Sequence, residues 1–170
     1  MSEYKTELGS LKEFKKGGVD VIEDNPKNYV FSNVFEVAER CAPYERVAVG
    51  INLEYTIEAT RAEGDSPWFA ADHDEFALCM DGQVEVHLVK LTDPRAVVAE
   101  GANGAHLVGD TPDGRKMGRI ILKRGHQALL PKGAAYRFSA AEPAVVLLQT
   151  MKGPVTVEKW AEICQTADRP

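Results

Sequence analysis

Alternating apolar and polar residues through the middle of the chain predict β-strands. The segment "NLEYTIEAT", residues 52–60, shows this most clearly. Its two faces consist of Leu53, Tyr55, Ile57 and Ala59, and of Glu54, Thr56, Glu58 and Thr60. Successive side chains of a strand point to opposite faces. We therefore expect the apolar face to lie against a core, and the polar face with Glu54 and Glu58 to meet solvent.

A hairpin is predicted after this strand. The segments "FAADHDEFALCM" and "QVEVHLVKL" flank Asp81-Gly82, a dipeptide that favours a two-residue turn between antiparallel strands. Residues 92–117 contain several Gly and Pro clusters and predict a long excursion with at most a short strand at 96–99. Strand patterns return at "RIILKR", "HQALL", "AYRFSA" and "AVVLLQTM".

Helical patterns occur only near the two ends of the chain. Ser10 is a candidate cap for "LKEFKK", and Ser32 or Asn33 for "VFEVAERC". The segment "TVEKWAEICQTA" has amphipathic spacing and Thr156 as its candidate cap.

Many short strands with helices at the ends predict an all-β fold, an antiparallel β-barrel of the jelly-roll type. The expected organisation is an N-terminal arm with short helices, a barrel containing the excursion at 92–117, and a C-terminal helix with its tail. Their bounds are 1–46, 47–154 and 155–170.

Composition excludes several classes of function. The 170 residues fit one domain, and a net charge of −6 with scattered Lys and Arg argues against nucleic-acid binding. No apolar stretch approaches the roughly 20 residues of a membrane span. Cys41, Cys79 and Cys164 are widely spaced, and the N-terminus is polar. We expect reduced thiols in a cytoplasmic protein.

Two motifs resemble those of the cupin family. "GHQALLPKGAAY" places Gly125, Pro131 and Gly133 as in the second cupin motif, G-x5-P-x-G-x2-H-x3-N, and departs from it only at the last two positions. Glu75 and Gly82, separated by six residues, match the end of the first motif. The resemblance implies a cupin barrel over residues 64–140.

The same resemblance implies that most of the family's metal ligands are absent. The two His positions before Glu75 are occupied by Phe69 and Ala71, the third by Tyr136, and the terminal Asn position by Ala140. Phe and Ala offer no donor, so the family's site cannot form with these residues. No metal is expected in this chain.

A rebuilt pocket is the alternative. Alternation places His73 on the same face as Glu75 and Phe69, and Tyr136 occupies the old ligand position. These four residues are the candidate pocket. They are compatible with metal binding, with metal-free acid-base catalysis, or with a vestigial set of hydrogen-bonded groups, and no residue is assigned a catalytic role. His87 is expected to be solvated, and His126 to be a turn or interface residue. His106 lies in the excursion, and Trp68 and Trp160 are expected to be packing or interface anchors.

A more specific resemblance covers nearly the whole chain. "KTELGSLKEF", "DNPKNYVFSNVFEVA", "SPWFAADHDEFALCMDGQVEVHLVKL" and "RGHQALLPKGAAYRF" are similar to the small subunit of two-subunit, iron(II)-dependent hydroquinone 1,2-dioxygenases. The resemblance implies an α2β2 assembly in which a larger cupin subunit holds the Fe(II). It also implies cleavage of hydroquinone, a small aromatic substrate, by O2 to 4-hydroxymuconic semialdehyde.

Two other functions are compatible with the same residues. One is a self-sufficient cupin enzyme, such as an isomerase, a lyase or an atypical metal dioxygenase, that uses His73, Glu75 and Tyr136. The other is a non-catalytic cupin that binds a small aromatic ligand or serves as a structural homodimer.

Overall fold

A computed structural model describes residues 9–15, 17, 22–24 and 32–159, and these form the expected antiparallel cupin-type barrel. The elements in chain order are α1 (Val34–Arg40), β1 (Arg46–Asn52), β2 (Tyr55–Asp65), β3 (Phe69–Ala71), β4 (Glu75–Asp81), β5 (Gln83–Leu91), a 3-10 turn (Pro94–Ala96), β6 (Ala105–Leu107), β7 (Gly114–Lys123), β8 (Gln127–Leu130), β9 (Ala134–Met151) and β10 (Thr156–Val157).

The long strand β9 organises the barrel. Its 18 residues pair antiparallel with four strands, β2, β3, β4 and β5. The predicted segments "AYRFSA" and "AVVLLQTM" are therefore parts of one strand. Strands β7 and β8 complete the sheet by pairing with β5 and β4.

The predicted turn at Asp81-Gly82 forms, with β4 ending at Asp81 and β5 beginning at Gln83, but the predicted hairpin is wrong. Strand β4 pairs with β8 and β9, whereas β5 pairs with β7 and β9, so the two consecutive strands do not pair with each other. Gly82 between them has φ +74°, a left-handed conformation that favours glycine. The excursion is shorter than predicted because β7 already begins at Gly114. The strand expected at 96–99 is absent from the described structure, where Pro94–Ala96 forms a 3-10 turn and a short strand follows at Ala105–Leu107.

Helix α1 confirms the second predicted helix, and Asn33 is its cap. The Asn33 side chain accepts hydrogen bonds from the N–H groups of Phe35 and Glu36. In the first predicted helix, Ser10 does bond to the N–H of Glu13, but residues 11–13 form bends and no helix develops over 11–15. Most of the remaining arm lies outside the described residues.

The two faces of β2 are the reverse of the prediction. Thr56, Glu58 and Thr60 point into the barrel and are buried, whereas Tyr55 and Ile57 are exposed. The inward polar face is possible because Glu58 forms an ion pair with Arg46 inside the barrel. Ala59 is buried as expected, but it lies outside the barrel, where helix α1 covers it.

The C-terminal helix does not begin at Thr156. That residue and Val157 form β10, which pairs in parallel with Arg46 and Val47 of β1. Residues 160–170, which carry the rest of the predicted helix, Trp160 and Cys164, lie outside the described residues. Within the described part of the chain, no helix is long and apolar enough to cross a membrane.

Candidate functional site

An arginine lies inside the barrel beside Glu75 and Tyr136, two residues that the cupin resemblance places at ligand positions. Arg46, the first residue of β1, is 2% exposed. Its Nη2 donates to Glu75 Oε1 at 2.9 Å and its Nη1 donates to the Tyr136 hydroxyl oxygen at 2.9 Å. The Tyr136 hydroxyl in turn donates to Glu75 Oε2 at 2.5 Å. The guanidinium thus connects β1 with β4 and β9.

A second carboxylate completes this cluster. Glu58 of β2 is fully buried, and its Oε2 accepts a hydrogen bond from Arg46 Nε at 2.5 Å. Its Oε1 accepts from the Thr156 hydroxyl at 2.6 Å. We call Arg46, Glu58, Glu75 and Tyr136 the arginine cluster. Its members come from four strands, and each charged group has at least two partners.

The charges of the arginine cluster set its protonation. Burial pushes the pKa of Glu75 upward, but the Arg46 guanidinium and hydrogen bonds with Thr150 and Tyr136 outweigh it and hold that pKa below its usual range. Burial, and then the neighbouring Glu75 carboxylate, raise the pKa of Tyr136 well above its usual value. Tyr136 is therefore a neutral hydrogen-bond donor, and Glu75 is an ionised acceptor.

The low pKa of Glu75 predicts an acid-sensitive fold. A carboxyl with a lowered folded-state pKa contributes stability above its unfolded pKa of about 4.3, and loses it as the pH falls through the folded value. The free energy of unfolding of the wild type, measured in urea, should therefore fall steeply below about pH 4.3. Glu75→Gln should reduce the slope of this free energy against pH. Glu142→Gln, at an exposed position of β9, is the matched control and should keep the wild-type slope. Equal slopes for wild type and Glu75→Gln would contradict the pairing.

His73 does not join the arginine cluster. Its Nε2 lies 3.0 Å from Thr150 Oγ1 and accepts a longer hydrogen bond from the Met151 N–H at 3.4 Å. The structure thus brings together three residues of the predicted pocket, Phe69, Glu75 and Tyr136, and places His73 beside the end of β9. Among the described residues, no group of three or more His, Cys, Asp or Glu side chains is arranged to hold a metal ion.

Aromatic rings fill the space around the arginine cluster. Phe69 packs on Tyr136 with 5.8 Å between ring centroids, and Tyr136 packs on Phe138 at 5.6 Å. Phe138 also stacks on Tyr44 at 6.5 Å. The guanidinium carbon of Arg46 lies 5.4 Å from the centre of the Phe69 ring. The interior is therefore packed with side chains of this chain.

The residues present do not fit the metal ion that the cupin fold implies. The first two ligand positions, Phe69 and Ala71, carry no donor atom, and a cation already bonds to Glu75 and Tyr136. A metal ion bonded to the same oxygen atoms would meet the positive guanidinium of Arg46. No chemical step is therefore assigned to a metal within this chain.

The other sequence candidates have structural surroundings. The ring of His126 accepts a hydrogen bond from the Lys123 N–H across the turn before β8, which confirms its predicted turn role. His87 is partly exposed beside Glu85. Cys41 and Cys79 are free thiols, and burial raises the pKa of both. Because the thiolate is the reactive form, both are weak nucleophiles.

Trp68 lines an outer cleft of about 330 Å³ next to β5 and β7. The guanidinium of Arg137 lies 5.2 Å from the centre of the Trp68 ring, a cation-π distance. Trp68 also packs against a buried apolar cluster that includes Ala70 and Leu91. This supports the predicted packing role of Trp68.

Sequence reasoning missed Arg46 and misplaced Glu58. An arginine at the start of an otherwise apolar strand, "RVAVG", was an available signal. Its partners are 12, 29 and 90 positions away along the chain, so neither spacing nor periodicity connects them.

Comparison with solved structures identifies the family. No protein-family model and no curated protein matches the chain. Its structure is similar to hydroquinone 1,2-dioxygenase from Sphingomonas sp. TTNP3 with 4-hydroxybenzoate bound, at 61% identity and a TM-score of 0.93. The match covers 96% of this chain and 99% of that one. The chain belongs to the hydroquinone 1,2-dioxygenase family.

Two further matches extend the comparison. The hydroquinone 1,2-dioxygenase PnpCD, in complex with Cd²⁺ and 4-hydroxybenzonitrile, contains a chain 53% identical to this one, with 96% and 98% of the two chains covered and a TM-score of 0.90. PnpCD in complex with Fe³⁺ also contains a chain 13% identical, matched with a TM-score of 0.60. That match covers 88% of this chain but only 42% of the other, a longer protein that shares the fold.

Proposed function

We propose that this chain is the small subunit of an iron(II)-dependent hydroquinone 1,2-dioxygenase, which cleaves hydroquinone with O2 to 4-hydroxymuconic semialdehyde. The observation that carries the proposal is 61% and 53% identity, almost end to end, to chains of two hydroquinone 1,2-dioxygenases. The chain supplies a complete barrel of the family, and a larger cupin subunit supplies the iron in an α2β2 assembly.

Two observations support placing the iron in the larger subunit. PnpCD contains a longer chain of the same fold, and its structures include Cd²⁺ or Fe³⁺. In this chain, the oxygen atoms of Glu75 and Tyr136 bond to Arg46 instead. Iron-dependent ring cleavage needs open coordination positions for a phenolate and O2, and a guanidinium provides none.

The packed interior indicates where the small subunit acts. Phe69, Tyr136 and Phe138 are each at least 96% buried, so an aromatic substrate has no place among them. We propose that the chain contributes an outer surface that covers the larger subunit and excludes water from its iron site. Water exclusion strengthens the electrostatic interactions within an active site.

An apolar patch on the outer face of the barrel is our candidate for this contact. Strand register places Ile57, Gln149, Phe76 and Leu129 side by side across β2, β9, β4 and β8. Ile57, Phe76 and Leu129 are each 44% to 47% exposed. Contiguous exposed apolar residues mark interaction surfaces in soluble proteins. The longer chain, a barrel of the same fold, is the partner we assign to this patch.

A charge in this patch should weaken assembly. Phe76→Asp would place a carboxylate in a desolvated contact, so we expect at least a tenfold loss of affinity for the larger subunit. The melting temperature of the free chain should fall by only a few degrees, roughly the effect of 1 kcal/mol, because the side chain is already partly solvated. Analytical ultracentrifugation of mixed subunits measures the affinity. Met117→Asp, on the exposed strand β7, is the control. Equal affinity of Phe76→Asp and the wild type would remove the patch from the interface.

His73 should be dispensable for turnover. Its ring bonds to Thr150 and Met151 and is linked to the arginine cluster only through Thr150, which bonds to Glu75. His73→Ala should leave hydroquinone turnover by the assembled complex within a few-fold of the wild type. Steady-state O2 uptake measures this. A loss beyond about a hundredfold, the scale of a missing acid-base group, would show that His73 acts in catalysis.

A further inference from the structure

The guanidinium of Arg46 bonds to side chains from three other strands of the barrel. Its three nitrogen atoms bond to β2 through Glu58, to β4 through Glu75 and to β9 through Tyr136. Two of these partners occupy family ligand positions in the sequence resemblance. The face of Phe69, at a third ligand position, packs against the guanidinium. One cation thus contacts the side chains at three of the positions that hold a metal ion in cupins.

The charges of the arginine cluster require such a cation. Glu58 and Glu75 are both 0% exposed, and a buried carboxylate without a partner is strongly destabilising. Arg46 forms an ion pair with each of them, at 2.5 Å with Glu58 and 2.9 Å with Glu75. Hydroxyl groups of Thr156 and Tyr136 donate further hydrogen bonds to the same carboxylates. Removing Arg46 would leave two negative charges inside the barrel.

Guanidinium chemistry suits this role. The group is planar, stays protonated and directs its N–H donors to several acceptors at once, as the three bonds of Arg46 show. A divalent ion would hold the same oxygens through coordination bonds but would depend on supply and on pH. A cation on the chain itself does not depend on supply, and a guanidinium stays protonated over the whole pH range in which the two carboxylates are ionised.

We propose that Arg46 is a covalently attached substitute for the cupin metal ion, and that it makes the small-subunit barrel structurally independent of metal. The arginine cluster therefore ties β1, β2, β4 and β9 together without taking part in chemistry. All four of its side chains are almost fully buried, so no substrate reaches them. This inference concerns the fold of the chain and does not depend on the proposed dioxygenase activity.

A charge-neutralisation series tests the proposal in the full-length chain. Arg46→Met keeps much of the side-chain volume but leaves both carboxylates unpaired, and should lower the melting temperature by roughly 10 °C. The triple variant Arg46→Met/Glu58→Gln/Glu75→Gln leaves no unpaired charge and should recover at least half of that loss. Wild-type melting should be the same in EDTA and in added Mn²⁺. Differential scanning calorimetry measures the wild type, both variants, and the wild type in EDTA and in Mn²⁺.

Each opposite result would overturn the proposal. A wild-type melting temperature that falls in EDTA and is restored by Mn²⁺ would show that a metal ion supports the barrel. A triple variant no more stable than Arg46→Met would show that Arg46 does not act through its ion pairs with Glu58 and Glu75. If Arg46→Met does not fold, a folded triple variant supports the charge argument and an unfolded one contradicts it.

Discussion

Replacing Phe138 with Ala should destabilise the chain by about 3–5 kcal/mol, the cost of deleting a fully buried aromatic side chain. Phe138 is 1% exposed and contacts both Tyr44 and Tyr136 through its ring. The change would leave a cavity next to Tyr136 and loosen the packing that holds its hydroxyl on Glu75. Urea unfolding should report the loss, and the melting temperature should fall by roughly 10 °C or more.

The control for this prediction is another phenylalanine. Phe76 is 44% exposed on the outer face, so Phe76→Ala removes the same atoms without creating a buried cavity and should cost less than about 1 kcal/mol. If Phe138→Ala and Phe76→Ala had similar effects on the free energy of unfolding, the interior of this barrel would not be the packed core that the structure shows.

Gly104→Ala should cost about 3 kcal/mol for a different reason. Gly104 has φ +72°, and a Cβ there would lie 2.4 Å from the Cα of Gly153. The left-handed conformation costs an alanine about 1–2 kcal/mol. The clash of the new Cβ with the backbone of Gly153 adds about 1–3 kcal/mol. Gly153 donates its N–H to the Thr156 hydroxyl, which donates to Glu58. The substitution should therefore also disturb the arginine cluster.

Gly101 separates the two contributions. Its φ is +74°, almost that of Gly104, but nothing lies within 4 Å of a Cβ built there. Gly101→Ala should cost only the conformational contribution, about 1–2 kcal/mol. Calorimetry of both variants gives the difference. Equal destabilisation would show that the contact between Gly104 and Gly153 does not constrain the fold.

Much of the fold could be predicted from local signals. The Asp81-Gly82 turn, the Asn33 cap and the strands on either side of them depend on residues close together in sequence. The Pro131-x-Gly133 segment of the cupin motif also forms a turn, with φ +78° at Gly133. Glycine conformation, helix capping and period-two alternation act within a few residues, so one sequence is enough to find them.

The orientation of β2 could not be predicted in this way. Alternation separates two faces but does not say which one points inward. Here helix α1 covers Ala59 from outside, and Arg46 neutralises Glu58 within, so each face is partly buried. Both conditions depend on elements remote from β2 in sequence. The same remoteness hid Arg46, whose partners only the closed barrel brings together.

The C-terminal region shows a second limit. Helical spacing in "TVEKWAEICQTA" was a sound local signal, but Thr156 and Val157 pair with β1. The Thr156 hydroxyl bonds to Glu58 rather than to the first turn of a helix. Tertiary hydrogen bonding outweighed the local preference at this end of the barrel.

The most direct test of the account measures O2 uptake that depends on hydroquinone, together with the metal content of each subunit. The purified chain alone should contain no stoichiometric iron and should show no uptake. Mixing it with an iron-loaded larger cupin subunit should restore turnover, with saturation at equimolar subunits. Stoichiometric iron and turnover in the chain alone would contradict the account, because the site would then lie within this barrel.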